Sequence, residues 1–293
     1  MTVVGLLHPG AMGAALGAQL RETGHDVVWA SEGRSPETAR RAADAGLRDA
    51  GTIEGLAGTS DLVLSVCPPH AARDVAAQVA GRVALFVDAN AVSPATARDV
   101  AMAIAGSGGR AIDGGLIGPP PGGGRGSGSS VSLLLSGAGA EDVARLFDGT
   151  RVRARVVGTE IGAASATKMA YAGWTKGSAA LLLAVRGFAR AEGVEEALLA
   201  EWAISHPGLD ERSARAARGS AGKAWRWVGE MEEIAASLTA DGLPGGFHEA
   251  AAELYERLAA EPGTDLDALL DALSVRYVAP GSGDGPAKGD TWR

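Results

Sequence analysis

The first 30 residues constrain the fold most. Residues 3–7 form an apolar segment, which is followed by a glycine-containing turn that ends at Gly13 and by a helical stretch to about Glu22. A second apolar segment covers residues 26–30. A strand, a glycine turn, a helix and a second strand in this order predict the first unit of a Rossmann domain, whose helix N-terminus faces the pyrophosphate of a dinucleotide. His8 replaces the first glycine of the usual G-x-G-x-x-G pattern, so an ordinary βα turn is the alternative interpretation.

The two glycines of this turn have different predicted roles. Gly10 would let the backbone approach a pyrophosphate closely, and Gly13 would let the helix pack on the preceding strand. We therefore expect cofactor contacts from the whole turn, which comprises His8, Pro9, Gly10, Ala11, Met12 and Gly13.

Length, charge and cysteine content limit the class of protein. A chain of 293 residues has enough material for one large or two medium domains. Its formal net charge of -8 disfavours a nucleic-acid-binding face. No apolar run is long enough to span a bilayer, and Cys67 is the single cysteine, which excludes internal disulfides and cysteine-cluster metal sites. We expect a soluble cytoplasmic protein with no metal, nucleic-acid or membrane partner.

The order of the predicted elements divides the chain into two parts. Strands are predicted at 3–7, 27–29, 62–66, 84–88, 111–113, 131–135 and 153–157, and helices between them at 11–22, 36–45, 71–79, 94–104 and 141–147. This alternation predicts a mostly parallel sheet covered on both faces. From about residue 158 the pattern changes to alanine-rich helical stretches at 162–192, 194–205, 210–217, 225–240, 247–260 and 266–277.

The predicted fold class is therefore an α/β Rossmann domain with a mostly parallel sheet, followed by an all-α domain. The predicted boundaries are 1–158 for the NAD(P)-binding domain, 159–278 for a helical substrate and dimerisation domain, and 279–293 for a flexible tail. A glycine- and proline-rich loop at 118–130 is either a tolerated insertion or a mobile lid that carries Arg125 as an anion contact. The residues leave both interpretations of the loop open.

Four stretches occur in the order and spacing of one enzyme superfamily. The turn closes in Pro-Gly-Ala-Met-Gly at residues 9–13, and residues 64–69, Leu-Ser-Val-Cys-Pro-Pro, are an apolar run that closes in proline. Residues 87–94 resemble D-x-S-T-x-S-P, and residues 162–168 resemble G-x-G-x-x-x-K. Over residues 1–190 the chain resembles the β-hydroxyacid dehydrogenase superfamily, which includes 6-phosphogluconate dehydrogenase, 3-hydroxyisobutyrate dehydrogenase and the imine reductases. Residues 225–234 resemble the C-terminal domain of a 6-phosphogluconate-dehydrogenase-like branch.

The resemblance implies a catalytic lysine, Lys168, on a long interdomain helix. A lysine partly buried there would have its pKa lowered towards neutrality, so it would act as acid or base towards the substrate hydroxyl. Asn90 would donate to a substrate oxygen or to the nicotinamide carboxamide, and Tyr171 would donate a proton or orient substrate. A surface position for Lys168, a turn role for Asn90 and a packing role for Tyr171 are the structural alternatives.

The chain departs from the superfamily pattern at the expected substrate contacts. Asn90 stands where serine is usual, Tyr171 stands where asparagine is usual, and a Ser-Gly-Gly segment is missing near Gly118. The substrate is therefore expected to differ from 6-phosphogluconate. Substrate contacts are predicted for Gly118, Trp174, Glu233 and His248.

The residues after the second strand bear on the choice between NAD and NADP. Arg34 and Ser35 are similar to the superfamily pair that holds the 2′-phosphate of NADP, whereas Glu32 suits the ribose hydroxyl of NAD. We expect NADP(H), with NAD(H) as the alternative. Further cofactor contacts are predicted for Ser31, Cys67, Pro68, Pro69 and Asn90.

The leading functional prediction is an NADP(H)-dependent oxidoreductase that transfers hydride to or from a small hydroxy acid, keto acid or related carbonyl compound. An imine or iminium reductase, in which Lys168 is not the essential proton donor, is one alternative. A non-catalytic dinucleotide-binding sensor is another, because of His8 and the missing Ser-Gly-Gly segment. The resemblance also implies a homodimer in which each helical domain completes the partner's cleft.

Overall fold

The computed structural model describes residues 1–122, 129–261 and 263–274. Its strands are β1 (Val3–Leu6), β2 (Asp26–Trp29), β3 (Arg48–Asp49), β4 (Leu62–Ser65), β5 (Leu85–Asp88), β6 (Arg110–Ile117), β7 (Val131–Ser136) and β8 (Val152–Gly158). The helices between strands are α1 (Ala11–Glu22), α2 (Pro36–Asp44), α3 (Ile53–Thr59), α4 (Ala72–Val79), α5 (Pro94–Gly106) and α6 (Ala140–Arg145). The helices that follow the last strand are α7 (Ala163–Ala191), α8 (Glu195–Ser205), α9 (Leu209–Ser220), α10 (Ala224–Ala240), α11 (Gly246–Ala260) and α12 (Leu266–Ser274).

The strands form one sheet in the order β3-β2-β1-β4-β5-β6-β7-β8. Neighbouring strands run parallel except for β6 and β7, which are antiparallel. Because the strand order reverses between β1 and β4, their carboxyl ends lie at the switch point where open α/β sheets bind ligands. The mostly parallel sheet followed by helices confirms the predicted fold class.

Successive side chains of each strand point to opposite faces of the sheet, and apolar side chains cover both faces. Leu64 packs in one cluster with Leu16 of α1. Val63 and Phe86 point to the other face and pack with Val75 of α4. Parallel strands need this double cover because their connecting helices lie on both faces.

The chain forms two compact units. The first contains Met1–Ser178 and Trp225–Glu253, and the second contains Ala179–Ala224 and the described residues from Leu254 onward. Residues 225–253 are thus grouped with residues 1–178, and the predicted domain bounds 1–158 and 159–278 stay predictions. Within the second unit, Arg186 of α7 binds Glu195 of α8 at 2.7 Å and Ser213 of α9 at 2.6 Å.

Two short elements of the structure, β3 and α3, were not predicted from the sequence. Strand β3 has two residues, and α3 contains Gly55 and Gly58, which weaken a helical pattern. Thr52 caps α3 by accepting a hydrogen bond from the N–H of Gly55 at 3.1 Å.

Several predictions fall outside the described residues. They concern Arg125 and its neighbours in the 118–130 loop, the end of the helix predicted at 266–277 and the tail at 279–293. In the part of the chain that the structure describes, no helix is both long and apolar enough to cross a membrane.

Candidate active site

The turn between β1 and α1 requires glycine at its end. A Cβ atom on Gly13 would lie 2.3 Å from the carbonyl oxygen of His8, so a side chain there would displace the turn. A Cβ atom on Gly10 would meet nothing within 4 Å, so this residue faces open space. Among the described residues, no side chain caps α1 at Gly10, which leaves the first amides of the helix available to an anion.

A histidine and an arginine lie together beside this turn. Burial, and then the positive charge of Arg34, lower the pKa of His8 to about 4, so its imidazole is neutral at pH 7. The Nδ1 atom of His8 and the Nε atom of Arg34 are buried, and neither has a hydrogen-bond partner within the described residues. These two unsatisfied nitrogens and the uncapped helix end fit an anionic dinucleotide.

The other residues expected to select the cofactor lie in the turn after β2. The carbonyl of Ser31 accepts a hydrogen bond from the N–H of Arg34 at 3.1 Å. Ser35 caps α2, because its hydroxyl accepts from the N–H of Thr38 at 3.2 Å. Glu32 is exposed. The structure thus brings Arg34 to the nucleotide turn, whereas the Ser35 side chain caps the N-terminus of α2.

Asn90 is buried and holds the loop after β4 in place. Its Oδ1 atom accepts a hydrogen bond from the N–H of Cys67 at 2.6 Å, and its Nδ2 atom donates to Ser65 Oγ at 3.2 Å and to Asp88. Only 2% of Asn90 is exposed, and other groups of the protein already form the hydrogen bonds of its side-chain amide. The geometry therefore gives Asn90 a task in positioning Cys67 and the two prolines after it, and its contact with substrate or nicotinamide stays a prediction.

Two further groups around Asn90 have pKa values raised by burial. The pKa of Asp88 is raised to about 7, and its Oδ2 atom is buried without a hydrogen-bond partner in the described part of the chain. The pKa of Cys67 is raised to about 11, so this thiol is not a nucleophile near neutral pH.

A cleft of about 770 Å³ opens at the carboxyl ends of β1 and β4. One wall consists of the nucleotide turn and the loop after β4, and the other consists of α10. The lining residues are Gly10, Ala11, Met12, Gly13, Val66, Cys67, Pro68, Pro69, His70, Ala91, Trp225, Arg226, Val228, Gly229, Glu230, Glu232, Glu233 and Ala236. The cleft thus unites the predicted turn, the predicted Cys67-Pro68-Pro69 segment and Glu233.

The start of α7 is fixed by a buried carboxylate of β6. Asp113 accepts hydrogen bonds from the backbone N–H groups of Gly162 at 2.9 Å and Ser165 at 3.0 Å, and from the hydroxyl of Ser165 at 2.6 Å. Ser136 of β7 donates to Asp113 at 2.9 Å and accepts from the N–H of Ala164 at 3.0 Å. A carboxylate at a helix N-terminus also complements the helix dipole. Two strands of the sheet therefore set the position of the first turn of α7.

This anchoring brings Lys168 against the sheet. A Cβ atom on Gly115 of β6 would lie 2.9 Å from the Cβ atom of Lys168 and 3.2 Å from the carbonyl oxygen of Ala164. Glycine at position 115 therefore lets α7 lie close to β6. Lys168 is 9% exposed as a result.

Lys168 and a second lysine share one buried carboxylate. The Nζ atom of Lys168 donates to Glu230 Oε1 of α10 at 2.7 Å, and the Nζ atom of Lys176 donates to Glu230 Oε2. Lys176 also lies over the ring of Trp227, 5.3 Å from its centroid. Glu230 lines the cleft, so the cluster adjoins the space where substrate would bind.

Burial lowers the pKa values of both lysines. The pKa of Lys168 is lowered to about 8, and nearby Tyr171 opposes the shift. The pKa of Lys176 is lowered to about 6, with the charge of Lys168 as a second cause. The Glu230 carboxylate favours the charged form of each amine. Because two amines compete for one carboxylate, burial favours the loss of one proton from the cluster.

The remaining predicted contacts lie away from the lining of the cleft. Tyr171 and Trp174 are 49% and 70% exposed on α7. The Nε2 atom of His248 lies 3.1 Å from the carbonyl oxygen of Gly173, so this histidine packs on α7. Gly118 follows β6 with φ +122°. The roles of these four residues in binding substrate stay predictions.

Asp113, Lys176 and Glu230 are site residues to which sequence reasoning assigned no role. Asp113 ends a predicted strand and precedes two glycines, which signals a buried acid with a close backbone neighbour. Lys176 and Glu230 are uncommon residues in an alanine-rich region, but they are 54 residues apart, so the sequence gives no sign of their contact.

These features define a Rossmann dinucleotide-binding protein with a buried lysine beside its cleft. The chain belongs to the family described as the NAD binding domain of 6-phosphogluconate dehydrogenase, which matches residues 1–148. This membership confirms the predicted superfamily and the dehydrogenase type of the protein. Residues 189–258 match a domain of unknown function.

Individual proteins are similar to this chain over most or part of its length. An uncharacterized 28.5 kDa protein of Methanothermus fervidus is 28% identical over 175 residues, which cover 59% of this chain and 66%, just under two thirds, of the relative. A solved protein of unknown function with structural similarity to 3-hydroxyacid dehydrogenases is 27% identical, with TM-score 0.66 over 89% of this chain and 99% of that one. The 3-hydroxyisobutyrate dehydrogenase of Mycobacterium tuberculosis, solved with L-serine, is 18% identical, with TM-score 0.71 over 93% of this chain and 99% of that one. The last similarity concerns the fold.

Proposed function

We propose that this protein is an NADP(H)-dependent oxidoreductase that interconverts a small hydroxy acid and the corresponding keto acid or related carbonyl compound. The observation that carries the proposal is the position of Lys168. Its amine is buried and hydrogen-bonded at 2.7 Å to Glu230, which lines the same cleft as the nucleotide turn. A group that exchanges a proton therefore adjoins the expected place of hydride transfer.

The cofactor supplies or accepts the hydride when it is bound. The residues that would hold it are the amides at the start of α1, together with Arg34 and His8, whose buried nitrogens lack partners within the described residues. An arginine suits the 2′-phosphate that distinguishes NADP, because its guanidinium binds phosphate oxygens in pairs.

Lys168 would handle the proton that accompanies the hydride. In reduction its ammonium donates a proton to the substrate oxygen, and in oxidation its neutral amine accepts one. Because burial lowers the pKa of Lys168 to about 8, both forms are populated near neutral pH. Efficient acid–base catalysis requires this match between pKa and working pH.

Arg226 supports an acid as the substrate. It lines the cleft and lies 5.0 Å from the centroid of the Trp225 ring, which holds the guanidinium beside an aromatic face. A guanidinium in this position would bind the carboxylate of a hydroxy or keto acid.

The test is a panel of small hydroxy and keto acids with NADPH or NADP, applied to the native protein and to Lys168→Met. Removing a general acid or base should lower kcat by about 10²–10⁴-fold and leave NADPH affinity nearly unchanged. Lys223→Met is the control, because Lys223 is exposed and lies outside the cleft lining. Nearly full turnover by Lys168→Met would show that the proton comes from another group.

An iminium compound is a second candidate substrate. Two glutamates of α10 outside the lysine cluster, Glu232 and Glu233, line the cleft, and their negative charge would favour a cationic substrate. Cyclic imines belong in the same panel, and their reduction by Lys168→Met at near-native rates would favour this candidate. NADPH binding without turnover of either class would favour the sensor and contradict the proposed enzyme.

A further inference from the structure

The nucleotide turn carries an imidazole at position 8, where the usual G-x-G-x-x-G pattern has its first glycine. The turn does not require glycine there, because all positive φ angles in the described part of the chain belong to glycines, so φ of His8 is not positive. The carbonyl oxygen of His8 helps to form the turn by accepting a hydrogen bond from the N–H of Gly10 at 2.8 Å. The side chain of His8 is therefore available to a ligand.

The imidazole of His8 lies within the electrostatic reach of the Arg34 guanidinium. The Nδ1 atom of His8 and the Nε atom of Arg34 are both buried, and neither atom has a hydrogen-bond partner within the described residues. Buried polar atoms of folded proteins nearly always have such a partner. Two unsatisfied nitrogens beside one turn therefore indicate a polar ligand that contacts both side chains.

A second arginine beside the same turn shows what a satisfied cation looks like here. Arg41 of α2 donates to the carbonyl oxygen of Pro9 at 3.4 Å and pairs with Glu37 Oε1 at 2.6 Å. Within the described residues, Arg34 forms no ion pair of this kind. The charge of Arg34 is therefore available to an anionic ligand, whereas the charge of Arg41 is already balanced.

The position of Arg34 favours the 2′-phosphate of NADP as this anion. Arg34 follows β2, and the end of the second strand of a Rossmann domain faces the adenosine ribose. The pyrophosphate is the ligand of the uncapped amides at the start of α1. A phosphate monoester carries about -1.5 to -2 charges at pH 7, so Arg34 alone leaves up to about one negative charge unbalanced.

We propose that His8 completes the 2′-phosphate site with Arg34, and that its imidazole takes up one proton from solvent when NADP or NADPH binds. The new N–H bond points to a phosphate oxygen, and the two cations then balance a dianionic phosphate. NAD and NADH lack this phosphate, so His8 would stay neutral when they bind. The inference rests on the NADP(H) preference of the proposed function, but not on the substrate or on turnover.

The surroundings of His8 favour a neutral imidazole while the site holds no phosphate. Burial and the charge of Arg34 both oppose protonation, and the first turn of α1, all of which is described, contains no acidic residue. Glu32 is exposed, and Glu37 is paired with Arg41. The titratable and charged groups on the elements next to the turn are Arg34 and Glu32 after β2, Glu37, Arg40, Arg41 and Asp44 on α2, and Cys67 and His70 after β4. The anion that stabilises a protonated His8 must therefore come from a ligand.

Proton NMR of the histidine Cε1–H signals tests the inference in the full chain. The chain has five histidines, and His8→Gln identifies the signal of His8. The pKa of His8 is lowered to about 4, so this signal should keep its neutral position down to about pH 5 in the free protein. Saturating adenosine 2′,5′-bisphosphate should raise the midpoint by at least about two pH units. ADP, which has a pyrophosphate but no 2′-phosphate, should raise it by less than about half a unit.

The free protein also shows whether His8 and Arg34 interact as proposed. In Arg34→Met the His8 midpoint should rise, because the neighbouring cation is gone. Arg41→Met is the matched control, because the Arg41 charge is balanced by Glu37, and it should leave the midpoint within about half a unit of the native value. Equal shifts in the two variants would contradict a specific pair.

Calorimetry of NADP and NAD binding measures the consequence for affinity. If the His8 midpoint rises to about 6 in the complex, the ratio of NADP affinity between native protein and His8→Gln should grow about fourfold from pH 7.5 to pH 5.5. The same ratio for NAD should stay constant. His25→Gln is the control, because His25 precedes β2 at the opposite edge of the sheet, and it should bind NADP as the native protein does.

The outcomes separate this inference from the proposed function. Equal His8 shifts with ADP and with the bisphosphate would assign the imidazole to the pyrophosphate and overturn the inference, and so would a failure of the bisphosphate to bind. Turnover with NADP, combined with an affinity ratio that ignores pH, would also overturn the inference but leave the proposed function intact. The predicted shifts without turnover of any substrate would refute the proposed enzyme and leave the assignment of His8 intact.

Discussion

The carboxylate of Glu233 accepts a hydrogen bond from the backbone N–H of Ser93 at 2.6 Å. Ser93 is the N-cap residue of α5, and its hydroxyl accepts from the N–H of Thr96 at 3.2 Å. A side chain of α10 thus places negative charge at the start of α5, where it complements the helix dipole. Because Glu233 also lines the cleft, this bond fixes the α10 wall to the body of the first unit.

Removing this bond should destabilise the first unit. Glu233→Ala leaves the N–H of Ser93 without its acceptor, and we expect the free energy of unfolding to fall by about 1–3 kcal/mol. Urea denaturation followed by circular dichroism measures the change. Glu232→Ala is the control, because Glu232 is an exposed neighbour on the same helix. Equal loss in the two variants would refute the structural importance of the Glu233 bond.

Asp88 should make the protein less stable as the pH rises. Burial raises its pKa to about 7 in the folded state, whereas an unfolded aspartate titrates near 3.9. The folded state therefore binds more protons between these values, and the contribution of Asp88 to stability falls as the pH rises from about 4 to 7.

The substitution Asp88→Asn should remove this slope, which is at most about 1.4 kcal/mol per pH unit for one proton. The measurement is the free energy of unfolding in urea at pH 5, 6, 7 and 8. Asp44→Asn, at an exposed site, is the control and should leave the slope unchanged. An identical pH dependence for Asp88→Asn and the native protein would show that Asp88 titrates normally.

Arg34 should decide the preference for NADPH. Its buried Nε atom lacks a partner in the described residues, and a lost bond to a charged group costs about 1.5–3 kcal/mol, or about 10–150-fold in affinity. We expect Arg34→Ala to weaken NADPH by that factor and NADH by much less, as measured by fluorescence titration. Arg40→Ala, an exposed arginine on α2, provides the comparison. Tighter binding of NADH than of NADPH by the native protein would contradict this assignment.

The part of α7 that lies in the second unit carries an exposed apolar stripe that we propose as the contact with a second copy of the chain. Its three members are spaced by four and then by three residues, a pattern typical of helix pairing. They are Leu181 (57% exposed), Val185 (39%) and Phe188 (66%). A homodimer would cover this stripe.

Light scattering at micromolar concentration should give twice the chain mass of 29.4 kDa. Phe188→Glu should shift the protein towards monomer, because it places a charge in the apolar stripe. Met102→Glu, at an exposed site on α5 (64%), should leave the assembly unchanged. A native protein that stays monomeric would refute the proposal.

The features that the sequence predicts well depend on local chemistry. Position 13 requires glycine, because a Cβ atom there would lie 2.3 Å from the carbonyl oxygen of His8. The strand–turn–helix order of the neighbouring residues indicates this requirement directly. The alternation of strands and helices likewise follows from the apolar pattern of neighbouring residues. For these reasons the Rossmann fold could be predicted from one chain.

The site beside the cleft depends on contacts that the sequence does not report. Glu230 meets Lys168 across 62 positions, and Glu233 meets Ser93 across 140 positions. For Asn90, the residue type and its place after a strand suggest a contact with a ligand. In the structure, however, its side-chain amide forms hydrogen bonds with Cys67, Ser65 and Asp88. Such partners are decided by packing between distant segments, and single-residue chemistry leaves them open.

The carboxylate that holds the start of α7 separates the anchoring of Lys168 from the opposite wall of the cleft. Asp113 and Ser136 bind the backbone amides of Gly162, Ala164 and Ser165, so the sheet fixes the first turn of α7 and with it the place of Lys168. The opposite wall of the cleft is α10, which the chain supplies more than 50 residues after Lys168. Residues of α10 other than Glu230, which binds the Lys168 amine, are therefore the positions at which this wall could be redesigned while Lys168 keeps its place. The cleft could be reshaped by varying one helix.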